Sequence, residues 1–235
     1  MEKKHVLEVC CGNAASVGAA GGGGAKRIEL CRGLSVGGLT PSHGAIAHAV
    51  AYRHLDVYVL IRAREGAFVY TQEEVHEMME DIAYCKTMGC KGVVVGFLTP
   101  DADVDELLLA RAVACARPME VTFHRAFDYC RNLPQALEVL VRHGVQRVLT
   151  SGGAASVGGG VEMLKQLVQQ AKGRIVVMPG GGVTASNIKD LACATGAREY
   201  HGTFKQTIKD CGSLGKEDVT SSDDVKAALA VLAAL

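Results

Sequence analysis

Two glutamate–cysteine pairs with the same spacing stand near the start of the chain, Glu8-Val9-Cys10 and Glu29-Leu30-Cys31. Side chains two apart on a β-strand point to one face, so each pair stacks a carboxylate and a thiol on the same side. If two such strands lie side by side, about 4.8 Å apart, with these faces turned inward, two carboxylates lie together with two thiols in a layer above them. Adjacent soft thiolates suit Cu(I), which favours sulfur donors. The same cysteines also fit a plainer role as small buried core residues. A buried carboxylate is costly without a cation, and Arg62, Arg125 and His124 are the available partners.

Further along, His124-Arg125-Ala126-Phe127-Asp128 closes another strand-like run. An imidazole there can act as general acid or base, with Arg125 helping to bind an anion and Asp128 a further substrate contact. The bland alternative is a salt-bridged loop anchor. Thr150-Ser151-Gly152-Gly153 and Gly180-Gly181-Gly182 resemble the backbone N–H cups that hold phosphate, although glycine also serves simply in tight turns. His201 ends the last strand-like run.

These residues share one placement, at the carboxyl ends of short β-branched runs. The runs are 5–10, 27–31, 56–62, 92–96, 120–124, 147–150, 174–179 and 199–202. Between them lie helical periodicities, such as Val75, Met78, Met79 and Ile82, or Leu133, Leu137, Leu140 and Val141. Thr40-Pro41, Leu133-Pro134 and Thr184 mark helix starts, and Gly89, Gly144 and Gly196 mark helix ends. Eight strand-then-helix units imply a parallel sheet. The first turn, Cys10-Cys11-Gly12-Asn13, lacks the dinucleotide fingerprint of an open doubly wound sheet. The expectation is therefore a single (β/α)8 barrel of the TIM type over residues 1–235, whose functional groups sit at the carboxyl ends of its strands. The polar, aperiodic stretch 203–222 is expected to be a long loop before a last helix over 223–235.

Composition removes several function classes. Lysine plus arginine and aspartate plus glutamate number 25 each, so no basic patch for nucleic acid or anionic membrane is implied. No apolar run reaches the roughly 18–20 residues of a membrane span. The opening residues run directly into a strand without a signal-peptide core, which points to the cytoplasm. Nine scattered cysteines without a C-x-x-C argue against both a disulfide framework and a zinc ribbon.

Several segments together resemble the CutC family: Leu7-Glu8-Val9-Cys10, Arg27-Ile28-Glu29-Leu30-Cys31, Gly37-Gly38-Leu39-Thr40-Pro41-Ser42, Val121-Thr122-Phe123-His124-Arg125-Ala126-Phe127-Asp128, Arg147-Val148-Leu149-Thr150-Ser151-Gly152 and Val177-Met178-Pro179-Gly180-Gly181-Gly182-Val183. The resemblance implies a TIM-type barrel, a cytoplasmic homo-oligomer (dimer or tetramer) and a role in copper homeostasis through Cu(I) binding. By position, Cys10 and Cys31 match the cysteines proposed as copper ligands. Ala67 stands where the family usually has an aspartate, and His201-Gly202-Thr203 replaces a more typical small polar or cysteine run.

Two functions follow. The first is Cu(I) binding by Cys10 and Cys31. The second is an enzyme, an acid/base isomerase, epimerase or lyase, acting on a small anionic or phosphorylated metabolite. There Glu8, Glu29 and His124 would be catalytic, while Arg62, Arg125, Asp128, Ser151, Gly180–Gly182 and His201 would bind the substrate, with Arg62 and Arg125 as the anion clamps. No lysine at a strand exit and no H-x-H after strand one disfavour Schiff-base aldolase chemistry and a two-metal hydrolase.

Overall fold

Eight short runs, most of them rich in β-branched residues, form eight parallel strands in the computed structural model, which describes residues 5–210, 212–214 and 216–235. They are β1 (Val6–Cys11), β2 (Arg27–Leu30), β3 (Asp56–Leu60), β4 (Gly92–Val95), β5 (Glu120–Phe123), β6 (Arg147–Thr150), β7 (Val176–Pro179) and β8 (Glu199–Gly202). The helices are α1 (Ala14–Gly22), α2 (His43–Val50), α3 (Gln72–Thr87), α4 (Glu106–Ala116), α5 (Leu133–Arg142), α6 (Val161–Ala171), α7 (Ile188–Thr195) and α8 (Ser222–Ala233). Strands adjacent in sequence are adjacent in space, and β1 pairs with both β2 and β8. A parallel bridge from Gly180 to His201 brings β7 against β8. The ring is the (β/α)8 barrel that the alternation predicts.

Strand parity divides the core. Val9, Ile28, Val59, Val93, Val121, Val148 and Val177 belong to the main apolar cluster with the helices, which covers the outside of the sheet. Residues of the opposite parity point into the barrel. Cys10, Cys31, Tyr58, Leu60 and Val94 form a second, smaller buried cluster there. The interior also carries charge, with Glu8, Arg27, Glu29 and Arg147 all buried.

Most helix signals act where they stand. Asn132 caps α5 ahead of Pro134, and Gly196 ends α7 in the left-handed region. α3 starts in a full capping box between Thr71 and Glu74. Two predicted starts are displaced. Ser42, one residue after Pro41, caps α2, and Thr184 opens a turn held by Asn187 before α7 begins.

The predicted loop over 203–222 is instead an antiparallel hairpin of β9 (Lys205–Asp210) and β10 (Lys216–Thr220). Every residue of β9 is exposed, so the strand carries no apolar alternation to reveal it. Cross-strand bonds from Lys205 Nζ (2.5 Å) and Thr207 Oγ1 (2.7 Å) to Asp218 join the strands. Asn13 Nδ2 donates to the Asp218 carbonyl, and Thr220 N donates to Ser16 Oγ, tying the hairpin to the start of α1. No described helix is long and apolar enough to cross a membrane.

Candidate functional site

Register between β1 and β2 corrects the expected layering of the two glutamate–cysteine pairs. Glu8 lies opposite Arg27, and Cys10 lies opposite Glu29. The stagger between neighbouring strands that closes a barrel shifts β2 by two residues relative to the expected alignment. The carboxylates therefore occupy successive levels, and Cys31 stands above Glu29. The thiols still meet, with Cys10 Sγ 3.7 Å from Cys31 Sγ and both side chains buried. The eight described cysteines are free, while Cys211 lies outside the described residues.

Arg62, Arg125 and His124 do not offset the glutamates; Arg27 and His201 do. Arg27 Nε is 2.8 Å from Glu8 Oε2, an ion pair whose angle falls outside hydrogen-bond geometry. Arg27 Nη2 also meets Glu199 at 2.5 Å. From there the charges continue through Arg147 to Glu120 and the Tyr58 hydroxyl. His201 sits between two acids, with Nδ1 2.9 Å from Glu8 Oε1 and Nε2 3.6 Å from Glu29 Oε2. Arg27 carried a readable signal, since it lies two residues before Glu29 and shares its parity.

Burial alone would raise the Glu8 carboxyl, but the His201 hydrogen bond and the Arg27 charge outweigh it and hold Glu8 below the usual range. Burial, reinforced by Glu8 and opposed by His201, raises Glu29. Burial disfavours the His201 cation, yet Glu29 and Glu8 raise its pKa above the ordinary value. The hydrogen bond to Cys31, followed by burial, pushes the Cys10 thiol well up.

An ionised Glu8 can only accept, so it takes the proton on His201 Nδ1 and leaves Nε2 turned toward Glu29. A carboxylate that fixes the far nitrogen of a histidine is the usual support of a metal-ligating imidazole. Cys10 Sγ, a Glu29 oxygen and a His201 ring nitrogen all lie within 4.8 Å of one another.

A cavity of about 620 Å³ opens above this group at the carboxyl ends of the strands. His124 and Arg62 line it, each buried. His124 Nδ1 accepts from Ala126 N at 3.0 Å, so its one proton is on Nε2. Burial, then the Arg62 charge, lowers its pKa to about 3. Held neutral, His124 presents its Nε2–H as a donor. Arg62 donates to the carbonyls of Val36, Gly38 and Gly66, bracing two loops. Phe68, from the loop after β3, packs on both, 4.9 Å from Arg62 and 5.0 Å from the His124 ring.

The other expected anion-binding residues bind mainly each other. Asp128 accepts from Thr150 Oγ1, from the backbone N–H groups of Ser151 and Gly153, and from Arg125 Nε at 2.8 Å. Arg125 also donates to Ser151 Oγ at 2.9 Å. Asp128 and Ser151 are therefore loop anchors, while Arg125 reaches the cavity wall beside Gly181 and Gly182. Gly181 has φ +101°, and a Cβ there would lie 3.1 Å from Arg125 Nη1. Gly180 approaches His201 through the strand bridge.

Comparison with known proteins matches residues 5–206 to the CutC family. A family protein CutC of Parabacteroides distasonis is 44% identical over 223 residues, covering 94% of this chain and 92% of the relative. A human copper homeostasis protein cutC homolog is 44% identical over 207 residues, covering 88% of this chain and 76% of the relative. The crystal structure of CutC from Streptococcus agalactiae superposes with a TM-score of 0.81 at 33% identity, covering 85% of this chain and 98% of that one.

Proposed function

The chain belongs to the CutC family, and from that premise we propose that it serves copper homeostasis by binding Cu(I) through the thiolates of Cys10 and Cys31. The observation that carries the reading is the 3.7 Å contact between two buried thiols on adjacent strands at the barrel mouth. Soft sulfur donors favour Cu(I) over harder cations. With a metal–sulfur distance of about 2.3 Å, as for zinc, sulfurs 3.7 Å apart subtend roughly 107° at the metal. That angle is bent, leaving room for a further ligand. The group of Cys10, Glu29 and His201 supplies one on the same side.

Copper is the cargo in this reading, and the thiols must lose their protons to take it. Glu8 keeps His201 oriented, and Arg27 keeps Glu8 ionised. The proposal places the protein in the cytoplasm, where thiols stay reduced, as a homo-oligomer. Titration with Cu(I) under reducing, anaerobic conditions, in competition with a chromophoric chelator, tests it. The wild-type chain should withdraw copper from the chelator, and a Cys10→Ser, Cys31→Ser double variant should not. Equal affinity in the double variant would remove the proposal.

A further inference from the structure

Two buried donors on the cavity wall have nothing to donate to. His124 is 6% exposed, and its Nε2–H finds no hydrogen-bond partner among the described residues. Arg62 is 5% exposed, and its Nε makes no hydrogen bond of good geometry, although its guanidinium also interacts with the buried Tyr70 hydroxyl. The His124 ring sits in a built seat, since a Cβ at Gly96 would fall 2.2 Å from its Cε1. Both side chains are fixed from behind, His124 through Nδ1 and Arg62 through three carbonyls, with Phe68 packed on both. Buried N–H groups left unpaired cost free energy that a bound acceptor recovers.

Charge on the cavity wall narrows the acceptor. Arg125 is paired with Asp128, Lys205 with Asp218, and His201 lies between Glu8 and Glu29. Arg62 differs: its three acceptors are neutral carbonyls, and it forms no ion pair among the described residues. A buried cation without a counter-charge calls for an anion. One uncompensated charge and two N–H donors match a monoanion with two oxygens. A dianionic phosphate would bring a second charge with no free cation among the described lining residues, and Asp224 on the same wall would oppose it. Leu34, Leu60, Leu149, Val183 and Phe204 line much of the rest, which suits a carbon skeleton.

We propose that the cavity binds a small metabolite through a single carboxylate group, whose oxygens accept from Arg62 Nε–H and His124 Nε2–H. Its two donors are distinct residues from the thiol pair, which lines the same cavity, and the carboxylate contact does not depend on copper.

Propionate, its neutral isostere propionamide and inorganic phosphate are suitable probes for the full chain. Calorimetry measures binding, and the 15N resonances of the His124 ring report contact. Propionate should bind saturably and move the Nε2 resonance, while propionamide and phosphate should not. His124→Phe keeps the ring shape and removes the donor, and should weaken propionate binding by about tenfold to a hundredfold. No saturable binding of propionate, tighter binding of phosphate or propionamide, or unchanged affinity in His124→Phe would each overturn the proposal. Should that variant fail to fold, the propionamide control and the Nε2 resonance of the wild-type chain still decide.

Discussion

Replacing Arg27 by methionine should expose how the barrel keeps an ionised acid inside it. Arg27 is the cation 2.8 Å from Glu8, and Glu8 is fully buried. Breaking a buried pair by removing one partner costs about 3–5 kcal/mol. Two contacts moderate the loss here: Glu8 keeps His201 at 2.9 Å, and Glu199 keeps Arg147 at 3.1 Å. The lower end, about 3 kcal/mol, is expected, against a total stability of roughly 5–15 kcal/mol. With a urea m-value near 3 kcal/mol/M, the midpoint at pH 7 should fall by about 1 M.

The pH dependence carries a second, independent sign. In the wild type the folded pKa of Glu8 is depressed, so its contribution is present above the unfolded value and is lost as pH falls through the folded one. Without Arg27, burial is opposed only by His201 and the weaker charge of Arg147, and the Glu8 pKa should rise. Between about pH 4 and 7 the unfolded variant would then ionise Glu8 before the folded one does. The destabilisation should therefore grow with pH across that window and shrink when Glu8→Gln is added. A deficit below about 1 kcal/mol at pH 7, or one independent of pH, would refute this reasoning.

Three other perturbations probe the cavity and its supports. His124 is held neutral with a folded pKa of about 3, so below pH 6.5 the unfolded chain binds a proton that the folded chain does not. Stability relative to His124→Phe should fall by about 1.4 kcal/mol per pH unit from pH 6 to 4 in urea unfolding, and a flat difference would contradict the buried neutral ring. Gly96→Ala would put a Cβ 2.2 Å from His124 Cε1 and 2.8 Å from Ala126 Cβ; about 1–3 kcal/mol of destabilisation is expected, with displaced His124 ring resonances. Asp128→Ala strips the acceptor from Thr150, Ser151, Gly153 and Arg125 together, and should cost about 3 kcal/mol in the same assay.

What the sequence disclosed follows from how each feature is encoded. Most of the strands were legible because β-branched runs recur between helical periods, β8 (Glu199–Gly202) only by its place in the alternation, and the barrel followed from their number and order. The thiol pair was legible as a repeated spacing, but its level relative to the acids was not. Stagger is a property of closure and leaves no trace in either strand alone. Arg27 and His201 escaped as the partners of Glu8 because the chain separates them from it, and β1 meets β8 only when the ring closes. The protonation state of His124 was not legible, since it depends on Ala126 N–H, burial and Arg62. The β9–β10 hairpin was hidden because it buries almost nothing.

X-ray absorption at the copper edge of the Cu(I)-loaded chain tests the central reading most directly, because it counts the sulfurs around the metal. The thiol pair predicts two sulfur ligands with one or more lighter ligands from Glu29 or His201, and loss of both sulfurs in the Cys10→Ser, Cys31→Ser variant. A shell of nitrogen and oxygen alone, or a sulfur count unchanged in that variant, would contradict it.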